Sequence, residues 1–159
     1  MRHVVAAAFV AAFIMTPAFA VEPGQAEGTL TVGGQKITLA FAYAIGHQKN
    51  EFNNRKDDIR IIVTDKALPD STDFANIENS FPEGVNGLVV CIDNKHAVSH
   101  VLTQFPSGMY DAGYFGPGDQ YAFSGKVENR RVEALLTSKS ITTSTTKFAF
   151  EVSVNAALK

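Results

Sequence analysis

Tryptophan is absent from this chain, and its 159 residues include a single cysteine, Cys91. One cysteine forms neither an intramolecular disulfide nor a cysteine-rich zinc site, so neither cross-link is available to hold the fold. Basic residues are not in excess: 14 Lys and Arg stand against 16 Asp and Glu, a formal net charge of -2. Proteins that bind nucleic acid carry a clustered positive footprint, so a phosphate backbone is a poor match as a partner. G-x-S-x-G, H-E-x-x-H, a P-loop, a dinucleotide fingerprint and an EF-hand loop are all missing, and with them the common signatures of catalysis and of bound cofactors or metals. What is present is apolar material, 45% of the residues, in a length typical of one domain, which suffices for a real core.

The first twenty residues read as an address. Arg2 and His3 precede an apolar run over residues 4–15, followed by Thr16-Pro17 and the small-residue pattern Ala18-Phe19-Ala20. A positive start, an apolar stretch of about a dozen residues and an A-x-A end make a secretory signal peptide, cut after Ala20. The run is shorter than the roughly 20 residues needed to span a bilayer, and no cysteine stands at the cleavage point to take a lipid. Residues 21–159 are expected as a single soluble domain, periplasmic or extracellular. Losing Arg2 leaves 13 basic residues against 16 acidic ones.

Downstream the pattern is that of strands. Residues 28–32 and 35–44 flank Gly33-Gly34, a two-residue turn whose glycines take the positive φ angles of a tight hairpin. Short strands are predicted over 59–64, 88–92 and 97–105, and a hairpin over 121–127 and 131–138. The last segment is the plainest: Phe148, Phe150, Val152 and Val154 alternate with Ala149, Glu151, Ser153 and Asn155, a period of two. Between the third and fourth strands, Phe74, Ile77 and Phe81 fall at spacings of three and four behind Asp73, which predicts a short capped helix whose apolar face plugs the sheet. About eight strands joined mostly by short turns imply an all-β antiparallel sandwich or closed barrel, with the short strands favouring the sandwich.

Three stretches carry chemistry. Cys91, Asp93, His96 and His100 lie within ten residues. Two histidines four apart share a helix face and can bind one metal, but along a strand the same spacing is about 13 Å, too far for one ion. With Asn94-Lys95 as the turn, Asp93 opposes His96 and Cys91 opposes Val98, and all four side chains share a face with a diagonal Cys-His contact. A thiol enzyme using Cys91 with His96 or His100 is then geometrically possible, although a cysteine inside an apolar strand ordinarily acts as a small buried hydrophobe. His47, in a polar stretch, reads as a solvated loop residue. Second, residues 105–121 are rich in glycine and aromatics, with Tyr110, Tyr114, Phe115 and Tyr121 as candidate ligand-binding residues for a protein, a glycan or a small apolar ligand. Third, the hydroxyl-rich run 139–147 reads as a polar hairpin before the last strand.

The order Gly28-Thr29-Leu30-Thr31-Val32-x-Gly34, Ala42-Tyr43-Ala44, Val63-Thr64-Asp65-Lys66-Ala67-Leu68-Pro69 and Phe150-x-Val152-x-Val154-Asn155-Ala156-Ala157-Leu158 resembles a group of secreted bacterial proteins of unknown function. That resemblance implies an envelope or secreted β-rich domain and carries no site residues. The sequence thus leads to the expectation of a non-enzymatic binding or accessory module, with a thiol enzyme and a structural module pairing through a strand edge as the alternatives.

Overall fold

A computed structural model describes residues 21–48, 58–77, 81–106, 108–111, 120–143 and 146–159. Among the described residues ten antiparallel strands form one sheet: β1 (Gln25–Val32), β2 (Gln35–Gln48), β3 (Asp58–Thr64), β4 (Gly87–Ile92), β5 (Val98–Phe105), β6 (Gly108–Asp111), β7 (Tyr121–Glu128), β8 (Arg131–Ser138), β9 (Ile141–Thr143) and β10 (Thr146–Ala157). The order across the sheet is β6-β5-β4-β3-β2-β1-β10-β8-β7, with β9 paired to β10. Gly33 and Gly34, at φ 57° and 86°, make the expected β1–β2 turn, and Asn129 and Arg130, at 51° and 56°, make the β7–β8 turn with the same left-handed geometry.

The sheet curls until it nearly closes as a barrel of eight strands, with β6 and β9 as short additions. One interior cluster takes side chains from the whole circuit, including Leu30, Leu39, Ile61, Val90, Val101, Leu136 and Phe150, and Phe123 and Val127 of β7 pack against it. The His96 and Phe123 rings, 5.5 Å apart, meet across the seam. Curling needs bends, and β2 supplies one: its inward residues change parity from Ile37 and Leu39 to Ala42 and Ala44, beside a register shift opposite Gln25 and Gly28. The short-strand argument for a sandwich fails on this point, because the bend lets β2 run for 14 residues and serve a curved wall instead of ending at a corner.

The predicted helix is not seen. Among the described residues there is no helix, and residues 73–77 form turns; residues 78–80 lie outside the described set. Asp73 explains the outcome. Its Oδ1 accepts the Ala75 N–H at 3.0 Å, its Oδ2 accepts from the Asn76 amide at 2.7 Å, and its carbonyl accepts the Asn76 N–H at 3.2 Å. The Asp73 carbonyl thus takes the Asn76 N–H, three residues on, where an α-helix would bring the Ile77 N–H, and the segment closes as a turn. The apolar spacing nevertheless did its packing job, since Ile77 is fully buried with Phe74 and Phe81 half-buried beside it.

Those residues belong to a second cluster on the outside of the barrel wall. Ile45, Ile62, Val89, Cys91 and Leu102 point outward from β2 to β5 and are covered by Leu68, Ile77 and Val85. Hence β4 is buried along its entire length, its two faces serving two cores. The covering segment is closed at its base by Asp65 and Asn86, whose backbone bond (2.9 Å) is joined by Asn86 N–H to Asp65 Oδ1 (2.9 Å) and Asn86 Nδ2 to Oδ2 (2.7 Å). Asp65→Ala removes two acceptors at once and is expected to cost about 1–3 kcal/mol in urea denaturation, since each part-buried bond contributes on the order of 1 kcal/mol.

Candidate functional site

The cysteine and histidine flagged in the sequence do meet, though by a different register. Cys91 stands directly across from His100, not from Val98. Two displacements add: the β4–β5 turn is one residue longer than Asn94-Lys95 alone would give, so Ile92 stands across from Val98, and one extra residue on β5 at the register shift between Cys91 and Ile92 adds the second. Ser99 Oγ donates to the Cys91 carbonyl at 3.3 Å within this bulge. On the other side Cys91 pairs with Arg60, and Arg60 with Ile45, so Ile45, Arg60, Cys91 and His100 form one row across β2, β3, β4 and β5.

Arg60 was not anticipated. It lies 8% exposed among the strand residues Ile59, Ile61 and Ile62, and its Nη1 donates to the Ala75 carbonyl at 3.0 Å. Its signal in the sequence was a lone cation inside an apolar run, a position that requires partners when buried. The guanidinium uses its reach to tie the cover to the wall. Cys91 is 2% exposed and in no disulfide, packed with Ile77, Val89 and Leu102.

His96 does not join this row. It sits in the β4–β5 turn at φ 61° and is exposed, with its ring directed to Phe123. Asp93 is likewise occupied with the turn: its Oδ1 accepts the N–H groups of Lys95 (2.8 Å) and Ala97 (2.9 Å). The expected shared face of Cys91, Asp93, His96 and His100 is therefore reduced to Cys91 and His100, because Asp93 satisfies turn amides and the left-handed residue swings His96 to the seam. Among the described residues, no group of three or more His, Cys, Asp or Glu is placed to hold a metal ion. The side chain of His47 is outside the described set.

Of the four aromatic candidates, Tyr121 is described: it opens β7, is half-buried, and its ring stacks on Phe150 with centroids 6.2 Å apart and planes at 12°. Tyr110 is on β6 opposite Thr103, its side chain outside the described set, and Tyr114 and Phe115 lie outside the described residues. The topology makes one statement about where this stretch starts and ends. β6 and β7 are the two ends of the sheet, so residues 112–120 join the two edges of the barrel wall.

The remainder of the outer wall is polar. A shallow groove of about 560 Å³ runs over β2, β1, β10 and β8, lined by Glu27, Thr29, Lys36, Leu135, Glu151 and Ser153. The hydroxyl-rich run is more than a connection between two strands: β9 lies within it and pairs with the start of β10, Thr143 opposite Thr146, while residues 144 and 145 lie outside the described set. No helix is long and apolar enough to cross a membrane among the described residues. No protein-family model, curated protein or solved structure matches the chain.

Proposed function

We propose that the mature chain is a non-enzymatic binding or accessory module of the periplasm or the extracellular space, and that it engages its partner through Tyr110, Tyr114, Phe115 and Tyr121. The observation that carries this reading is the placement of their stretch between the two edge strands. Aromatic rings on a connection anchored to a rigid wall at both ends are well suited to recognition, because the scaffold positions them while the loop sequence varies. An aromatic anchor of this kind is ordinarily worth more than 1 kcal/mol to binding. Tyr114→Ala is therefore expected to weaken retention of a partner protein or glycan recovered by the wild-type chain about tenfold or more; unchanged retention rejects the loop.

Export is supported by the leader and by the way the fold begins. Asn155 Nδ2 donates to the Val21 carbonyl at 2.8 Å and β1 starts at Gln25, so a cut after Ala20 leaves every described element whole. N-terminal sequencing of protein recovered from the envelope fraction is expected to read Val21 first; a chain still starting at Met1 rejects the leader. The resemblance to secreted β-rich proteins points the same way.

A second reading, pairing of a strand edge with another chain, is favoured by β7, which among the described residues pairs in the sheet with β8. The thiol-enzyme reading has less support. A nucleophile must be reached by its substrate, and Cys91 is buried, 2% exposed, within the outer cluster.

A further inference from the structure

The segment between β3 and β4 stands apart from the rest of the fold. No described residue of 65–77 or 81–86 belongs to a strand, and its backbone bonds Thr72 N–H to Pro69 O, Asn76 N–H to Asp73 O and Val85 N–H to Pro82 O are turns within the segment. Its buried apolar contribution is Leu68, Ile77 and Val85, whereas the barrel interior is built from every wall strand. Regions that bury little apolar surface and share no ladder with the sheet open more easily than the core they cover.

Its attachments are discrete. The Asp65–Asn86 clasp closes the base, Arg60 holds the Ala75 carbonyl, and the Leu68 N–H donates to the Tyr43 hydroxyl at 2.9 Å. The far side is held by Lys159, whose ammonium lies 3.6 Å from the centroid of the Phe74 ring and 5.5 Å from that of Tyr43. Lys159 is itself fixed to the barrel: its N–H donates to the Ala44 carbonyl at 3.0 Å, and Leu158 bridges Ala44 and donates its N–H to Arg130 O at 2.9 Å. The lysine thus joins a ring of the cover to the backbone of the wall.

We propose that residues 65–77 and 81–86 act as a hinged cover that opens about the Asp65–Asn86 clasp while the barrel stays folded, with Lys159 as the strap that sets how often it opens. Opening uncovers an apolar patch formed by Ile45, Ile62, Val89, Cys91 and Leu102. Cys91 is the chain's single thiol and lies under the cover, so its reactivity reports the opening without an engineered cysteine.

The experiment is native-state labelling of Cys91 in the mature chain with an aromatic disulfide reagent across a urea series, beside equilibrium unfolding of the same protein. The expected labelling is at least about a hundredfold faster than global unfolding allows, with a shallower urea dependence, as for a local opening. Lys159→Ala is expected to raise the rate about two- to fivefold, the range of an exposed cation–π contact, and to raise the global unfolding constant by no more than that same factor. Val132→Ala, in the barrel interior, is expected to lower the midpoint and leave the labelling rate in water unchanged. Labelling that follows global unfolding in rate and urea slope overturns the cover, as does labelling at the speed of an exposed thiol. No response to Lys159→Ala overturns the strap.

Discussion

Phe150→Ala is expected to reduce the free energy of unfolding by about 3–5 kcal/mol, read from urea denaturation of the mature chain. Phe150 is 3% exposed and lies on β10, which pairs with β1, β8 and β9 and so occupies the middle of the polar half of the wall. In the ladder it stands across from Leu30, which is fully buried, and its ring stacks on Tyr121 at the start of β7. Truncation removes the transfer free energy of the ring and leaves a void that strands on both sides are too constrained to fill. Domains of this size have a total stability of about 5–15 kcal/mol, so the loss is a large fraction of the whole. A second effect separates this site from other core positions: Tyr121 loses its stacking partner, and the seam end of β7 should exchange its amides faster than β1 does in the same variant. Phe150→Leu keeps apolar volume and is expected to cost less than half as much.

Gly28→Ala is expected to cost about 3 kcal/mol, the upper part of the range for overpacking, because the obstacle is backbone and cannot rotate away. A Cβ at this position would stand 2.2 Å from the Glu151 carbonyl oxygen and 2.4 Å from the Val152 Cα. Gly28 pairs with Val152 on one side and Leu39 on the other, next to the register shift that bends the wall. Gly34 provides the contrast. Nothing lies within 4 Å of its Cβ position, and its requirement is the positive φ of 86°. Asparagine tolerates that conformation, so Gly34→Asn is expected to cost under about 1 kcal/mol, whereas Gly28→Asn should be at least as harmful as Gly28→Ala. Equal effects of asparagine at the two sites would contradict the close approach of β1 to β10.

Much of the wall was legible because strand periodicity is local. The alternation of Phe148, Phe150, Val152 and Val154 and the Gly33-Gly34 turn each contain their own structural instruction, and they appear where expected. What was not legible depends on residues far apart. The bulge on β5 and the longer turn before it are properties of its pairing with β4, and together they set Cys91 across from His100. Asp73 precedes a helical spacing, yet the same carboxylate that caps a helix also closes an Asx turn, and in so short a segment the turn prevails. Arg60 and Lys159 gained their roles from Ala75 and Phe74, partners set by how the cover lies on the wall. The choice between barrel and sandwich turned on the bend in β2, where two parities meet in one continuous strand.

The proposed function rests on the seam, and the polar outer wall supplies an internal comparison. Residues 112–120 link the two sheet edges, whereas Lys36 lies in the shallow groove on β2, on a wall paired on both sides. The most direct measurement is site-specific photo-crosslinking in the native envelope, with a photoreactive phenylalanine analogue placed at position 114, 115 or 36 in separate strains. A discrete adduct is expected from positions 114 and 115 and none from position 36. Adducts from position 36 alone, or none from any of the three, would contradict recognition through the aromatic stretch.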